Sequence, residues 1–323
     1  MKFLNHDHDH AGPASMHRAR FLRLSAAMAA QLALGPLRAN AAAPDPHTRM
    51  HTRAIPSSGE QLGIIGCGTW QTFDVGSAEE ERKRLADVLR VLVDAGGSVL
   101  DSSPMYGRSE AVAGDLLTQL GLHDKAFVAT KVWTRGAGEG VRQMEESMRL
   151  LQHPRIELMQ IHNLVDWRTQ LKTLRTWKAA GRIKYLGITH YTVSAFGELE
   201  AIMRAEKLDF VQLNYSLDDR AAEARLLPLA AERGIAVLVN QPFGGGGLLR
   251  GLLDKPLPAW AADMGCASWA QVLLKYVIGH PAVTCAIPGT GRPQHMRDNV
   301  AAGMGVIPDA AMRKQMVENW SRR

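Results

Sequence analysis

From about residue 53 the chain alternates short apolar runs with stretches in which apolar residues recur every three to four positions. The runs "LGIIGCG" (62–68), "SVLD" (98–101), "AFVATK" (126–131), "IELMQIH" (156–162), "YLGITH" (185–190), "FVQLNYS" (210–216), "IAVLVNQ" (235–241) and "VTCAIPG" (283–289) predict buried strands. Between the first two, residues 77–97 place Leu85, Val88, Leu89, Leu92 and Val93 on one helical face and stop at a Gly-Gly pair. The same reasoning predicts helices over 109–121, 139–152, 166–181, 194–206, 221–234 and 268–280.

Eight strands alternating strictly with helices imply a parallel sheet. Units of about 30 residues repeated eight times are the arithmetic of a (β/α)8 TIM barrel. A doubly wound open sheet would carry G-x-G-x-x-G after its first strand. Here "GCGTWQ" puts Gln71 where the third glycine belongs. The predicted class is therefore α/β, a single-domain (β/α)8 barrel over 53–323, preceded by a cleavable or disordered N-terminal leader over 1–43.

That leader has its own pattern. From Met16 a basic start (Arg18, Arg20, Arg23) precedes an Ala/Leu-rich run, Leu24 to Leu37, and "ANAAA" offers small-residue cleavage sites after Ala41 or Ala43. This is the layout of a signal peptide. The apolar run is shorter than the ~20 residues a membrane span needs. "RARFLR" resembles a twin-arginine export motif with Ala19 in place of the second arginine. The expected location is periplasmic or exported, through an export machinery that reads the leader, with a cytoplasmic protein carrying an Ala-rich extension as the alternative.

Composition adds limits. The 323 residues are 46% hydrophobic and 22% charged, as in ordinary globular proteins. Of the net charge of +6, the leader's five basic and two acidic residues supply half, so the barrel shows no basic excess suited to nucleic acid. The three cysteines, Cys67, Cys266 and Cys285, have neither disulfide-framework nor zinc spacing, and no metal site is expected. Cys67 and Cys285 fall on strands that adjoin in a closed barrel, a placement that rarely meets disulfide geometry, so free buried thiols are expected.

Candidate chemistry lies at the strand ends. Asp101, Lys131 and His162 close the second, third and fourth predicted strands, and Tyr106 follows in the loop after Asp101. Equal displacement along successive strands brings all four to the C-terminal mouth, where barrel enzymes keep their chemistry. Singly, each has an ordinary explanation as a cap, a solvated lysine or a packed histidine; the case rests on their common rim. Together they suit proton donation to a carbonyl. Lys131, held by Asp101, is expected to lower the Tyr106 pKa, and His162 to donate a hydrogen bond to the same oxygen. The loops after strands seven and eight, "QPFGGGG" (241–247) and "PGTGRPQHMRDN" (288–299), are where barrels bind phosphate.

Asp101 with the "SPMYG" that ends at Gly107, then "ATK", "QIH" and "IPGT", in this order over about 60–303, resemble the aldo-keto reductase superfamily. The resemblance implies a catalytic tetrad of Asp101, Tyr106, Lys131 and His162 and an NADP(H) cofactor without a Rossmann unit. It places Gly68, Thr69, Trp70 and Gln212 near the nicotinamide, and Thr189 and His190 where many members have Ser-Asn for the carboxamide. Pro242, Gly244, Gly289 and Thr290 fall in the phosphate loops, Arg292 faces a 2′-phosphate and Asn299 the adenine. Many members carry an arginine near His295 for the 2′-phosphate, and the aromatic that often stacks on nicotinamide after strand seven is replaced around Asn240 and Gln241. Trp70 and Trp133 are candidates for walls of the substrate pocket. The implied function is NADP(H)-dependent reduction of small aldehydes or ketones to alcohols. The alternatives are an NADP(H)-binding regulatory subunit and a sugar or alcohol dehydrogenase working in the oxidation direction.

Overall fold

The computed structural model describes residues 49–321; the predicted leader, 1–43, lies outside the described residues. Two short strands, β1 (Thr52–Ala54) and β2 (Gln61–Gly63), pair antiparallel as a hairpin. Eight parallel strands then make one sheet: β3 (Cys67–Gly68), β4 (Val99–Asp101), β5 (Phe127–Val132), β6 (Ile156–His162), β7 (Ile183–Thr189), β8 (Phe210–Asn214), β9 (Ala236–Asn240) and β10 (Cys285–Ala286), in that order. Parallel bridges Ile65↔Ala286 and Gly68↔Gly289 join the last strand to the first and close the barrel. At this seam a Cβ on Gly68 would lie 2.9 Å from the Ile287 carbonyl oxygen, and one on Gly289 would lie 3.1 Å from the Gly68 oxygen. Both glycines therefore serve the closure itself.

The predicted first strand is thus two elements: β2 belongs to the hairpin, and only β3 enters the barrel sheet. The hairpin forms the floor. Ile55 and Leu62 pack against Val99, Phe127, Leu158, Tyr185, Phe210, Ala236 and Leu238, the apolar residues of the barrel interior. The rings of Phe127, Tyr185 and Phe210 stand 5.6–5.9 Å apart between centroids. Arg53 fastens the hairpin by donating to the carbonyls of Ile278, His280 and Val283.

Most helices match the expected periodicity within a few residues: Glu79–Asp94, Ser109–Leu120, Ala137–Leu150, Trp167–Ala179, Phe196–Ala205 and Trp269–Ile278. In Glu79–Asp94 the acidic residues Glu79, Glu80 and Glu81 fill the first turn, where the helix dipole favours them; of the predicted face Leu85, Val88, Leu89 and Leu92 are buried and Val93 is half-buried. The predicted helix 221–234 breaks at Arg225 (φ −144°, ψ −48°) into a 3-10 turn, Ala221–Ala224, and a helix, Leu226–Arg233. Pro228 has no N–H to offer the Ala224 carbonyl, which interrupts the ladder there. Helices Pro293–Ala302 and Ala310–Ser321 are additions to the predicted set; the first opens with proline, the residue suited to a helix start. No helix among the described residues is long and apolar enough to cross a membrane.

Cys67 belongs to the layer between strands and helices, whereas Cys285 belongs to the interior cluster. Their side chains leave opposite faces of the sheet, so no disulfide joins them. All three cysteines are free and buried.

Candidate active site

The strands deliver Asp101, Lys131 and His162 to the mouth, at three heights rather than one. In register, Asp101 faces Ala129, two residues below Lys131; Lys131 faces Gln160, two residues below His162. The residues climb a staircase from strand to strand, as the stagger of a closed barrel requires. Asp101 is deepest, Lys131 lies over it and His162 stands nearest the opening.

Lys131 is fully buried, and Asp101 is 3% exposed. The ammonium donates to Asp101 Oδ2 at 2.7 Å and to the Ser102 carbonyl at 2.6 Å. The other carboxylate oxygen, Oδ1, accepts from Gln212 Nε2 at 2.9 Å and Gln160 Nε2 at 3.2 Å. Thr189 Oγ1 then donates to Gln212 Oε1 at 3.2 Å. Burial pulls the Lys131 pKa down, but Asp101 and Tyr106 outweigh it, so the lysine stays charged.

Tyr106 sits on a tight turn, with its N–H donating to the Ser103 carbonyl at 3.0 Å. The next residue, Gly107, has φ +61°, and a Cβ there would lie 2.5 Å from Asp74 Oδ2. Asp74 accepts from the Arg108 N–H at 3.0 Å, pinning the turn to the loop after β3. Lys131 Nζ lies 5.2 Å from the Tyr106 ring centroid. The expected lowering of the phenol pKa is overturned: burial raises it, and the Lys131 ammonium opposes without reversing that. The phenol is thereby kept protonated, as a proton donor must be.

His162 meets Tyr106 edge-on, centroids 5.8 Å apart, and Trp133 at 6.4 Å. Its pKa is pushed down to about 2 by burial, then by the Lys131 ammonium and His190, so the imidazole is neutral. Nδ1 lies 2.9 Å from Ser103 Oγ.

The other predicted residues divide. Gln212 and Thr189 belong to the network under Asp101. Thr69 is fully buried, with its hydroxyl donating to Ser102 Oγ at 2.9 Å, while its neighbour Trp70 is 52% exposed at the rim. His190 Nδ1 caps its own loop by accepting from the N–H groups of Tyr191 and Thr192 at 3.0 and 3.2 Å. Pro242 and Gly244 follow β9, where Gly244, Gly245 and Gly246 turn the chain at φ +56°, +61° and +86°. Thr290 Oγ1 accepts from Arg292 N at 3.1 Å, opening the helix that carries Asn299, which is 3% exposed. An open cleft of about 750 Å³ lies outside the barrel, between Glu79–Asp94 and Pro293–Ala302, lined by Arg84, Arg90, Arg292, His295 and Arg297 among others. It is lined by none of the four mouth residues, so the chemistry is assigned from the mouth and not from this cleft. Among the described residues no group of three or more His, Cys, Asp or Glu side chains is arranged to hold a metal ion.

Three residues not singled out as site residues in the sequence matter here: Ser103, Gln160 and Asn214. Strand alternation signals the second, since Leu158, Gln160 and His162 share a face. Asn214 Oδ1 and Asn240 Oδ1, facing one another across β8 and β9, are buried without hydrogen-bond partners. Two such acceptors above Gln212, beside a glycine turn with open space at Gly245, fit an amide-bearing dinucleotide.

A closed (β/α)8 barrel with a buried Lys-Asp pair under a phenol and a neutral imidazole defines a class, the barrel oxidoreductases that need no Rossmann domain. Within it, the aldo/keto reductase family profile matches residues 64–315, and the chain belongs to that family. It is similar to methylglyoxal reductase YeaE of Escherichia coli (strain K12), with 30% identity over 260 residues, 78% of this chain and 89% of that protein. It also resembles the crystal structure of an aldo/keto reductase from Klebsiella pneumoniae in complex with NADP and acetate. That likeness has TM-score 0.70 and 25% identity and covers 81% of this chain and 93% of the other. A Klebsiella pneumoniae aldo-keto reductase in complex with NADPH shares the fold at TM-score 0.71 and 24% identity, covering 84% of this chain and 96% of that one.

Proposed function

We propose that the protein reduces aldehydes or ketones to alcohols with NADPH, Tyr106 donating the proton. The observation that carries this reading is the fully buried Lys131, bonded to Asp101 and set below the Tyr106 ring beside a neutral His162. When bound, the nicotinamide supplies the hydride to the carbonyl carbon. The chain's residues manage the oxygen. Tyr106 Oη–H gives it the proton as negative charge develops, and His162 donates a hydrogen bond to the same atom. Lys131 stabilises the phenolate left after transfer, and Asp101, fixed by Gln160 and Gln212, keeps the ammonium aimed. Asn214 and Asn240 are assigned to the carboxamide, the glycine turn at 244–246 to the pyrophosphate, and Thr290, Arg292 and Asn299 to the adenosine end. NADP-bound Klebsiella relatives and the presence of Arg292 and Arg297 in one cleft support the phosphorylated cofactor.

The test is NADPH oxidation against a carbonyl panel that includes methylglyoxal, the compound named for the Escherichia coli relative. Saturable turnover with at least one carbonyl is expected. Tight NADPH binding without turnover would replace this reading by a regulatory, cofactor-holding subunit. Export is a second part of the proposal, supported by the basic start, short apolar run and small-residue sites of residues 16–43. N-terminal sequencing of protein from fractionated cells checks it: a periplasmic chain starting near residue 42 or 44 is expected, and a cytoplasmic one retaining Met16 contradicts it.

A further inference from the structure

We infer that Ser103 is a positioning residue that fixes the tautomer of His162, so that the imidazole presents Nε2–H to the substrate oxygen. The inference rests on the carbonyl-reduction reading above, in which His162 donates to that oxygen. A neutral imidazole has one N–H and one bare nitrogen, and only the first can donate. A neutral histidine favours Nε2–H only weakly by itself, so a single tautomer has to be fixed by the hydrogen bond its other nitrogen makes.

The surroundings here are one hydroxyl. His162 is 5% exposed and Ser103 fully buried, with Oγ 2.9 Å from Nδ1. Ser103 Oγ also accepts from the Met105 N–H at 3.4 Å, so one of its lone pairs is engaged and its hydrogen is free to donate. Among the described residues the imidazole nitrogen is the acceptor given to that hydrogen. With the ring proton on Nδ1, Ser103 Oγ would accept from both Met105 N–H and Nδ1–H, and its own buried hydrogen would have no acceptor among the described residues, an arrangement folded proteins avoid. With the proton on Nε2 the chain closes without conflict: Met105 N–H to Ser103 Oγ, Ser103 O–H to His162 Nδ1, His162 Nε2–H toward the mouth. Ser103 also accepts from the Tyr106 N–H at 3.0 Å through its carbonyl. One residue thus anchors the turn bearing the phenol and directs the imidazole that shares its target.

The experiment is long-range proton–nitrogen NMR on the NADPH complex of ¹⁵N-histidine-labelled protein, with His162→Asn used to assign the signal. The wild type should show a single Nε2–H tautomer. Ser103→Ala should give a tautomer mixture with kcat lower by about tenfold, the loss of one oriented donor, and unchanged NADPH affinity. Ser103→Cys, similar in shape with a weaker donor, should fall between. An Nδ1–H tautomer in the wild type overturns the inference. So does a Ser103→Ala protein with unmoved tautomer, whatever its kcat. The tautomer is read without any turnover, so a protein inactive on every carbonyl would sink the parent reading while the spectrum still decides the role of Ser103.

Discussion

The lower and upper halves of the barrel interior are built by the same strands and are equally dry, yet they do opposite work. In the lower half, Phe127, Leu158, Tyr185, Phe210 and Ala236 pack over the hairpin floor, each no more than 3% exposed. Two to four residues further along the same strands stand Lys131, Gln160, His162 and Gln212, none more than 5% exposed. Burial alone therefore does not tell core from site. What differs is cost. Apolar burial stabilises by about 25 cal/mol per Å², whereas a buried ion pair seldom repays its desolvation. The upper half keeps a charged pair and two amides where hydrophobic residues would pack as well, and that expense marks function.

The contrast breaks most visibly at Lys131. Lys131→Met leaves the Asp101 carboxylate buried without its cation, so stability should fall by about 3–5 kcal/mol. Turnover of the remaining folded protein should fall by about 10²-fold or more. Denaturant melts and steady-state kinetics on one preparation read both effects, and a stable, active variant would erase the distinction between the halves. In the lower half, Phe210→Ala should cost about 3–5 kcal/mol through the cavity left between Phe127 and Tyr185. The kcat of its folded fraction should stay near the wild-type value; a collapse of kcat at unchanged stability would mean that the floor takes part in the chemistry.

A smaller effect appears in acid. His162 and His280 are held down to about 2 and about 4, burial being the first cause in each, against the ordinary value of 6.5. Below pH 6.5 the unfolded chain binds protons that the folded one refuses. Their contribution is thus full above 6.5 and is lost as pH falls toward the folded values. Replacing His280 by Asn removes its share. The Tm of His280→Asn minus that of the wild type should grow between pH 7 and pH 4, by roughly 2–4 °C. Circular dichroism melts check this, and a difference independent of pH would show that burial does not hold His280 neutral. The smallest expectation concerns thiols: titration of the denatured, unreduced protein should count three free groups, since Cys67 and Cys285 lie on opposite faces. A count of one would contradict that placement.

Much of this is legible in one sequence because the barrel repeats a simple rule. An apolar run that ends on Asp101, Lys131 or His162 announces both a strand and its mouthward end. Register between strands leaves no such mark, so the sequence suggests a level rim where the structure has a staircase. The run 62–68 looks like one strand because both its halves are apolar, and the partner Thr52–Ala54 is too short and too exposed to show alternation. The direction of the Tyr106 pKa is hidden because a sequence reveals a neighbouring ammonium but not the depth of burial that outweighs it. Ser103, like Ser102, has the sequence signature of a turn residue; its 2.9 Å contact with Nδ1 shows only in the structure.

The most direct test of the central claim is Tyr106→Phe, measured for single-turnover NADPH oxidation and, on the same protein, for NADPH binding by fluorescence quenching. The ring's packing is kept and only the donor is removed. Carbonyl reduction should fall by about 10²-fold or more while NADPH affinity stays at the wild-type value. Near-wild-type turnover on a good substrate would contradict the account, because the buried lysine would then have no phenol to serve.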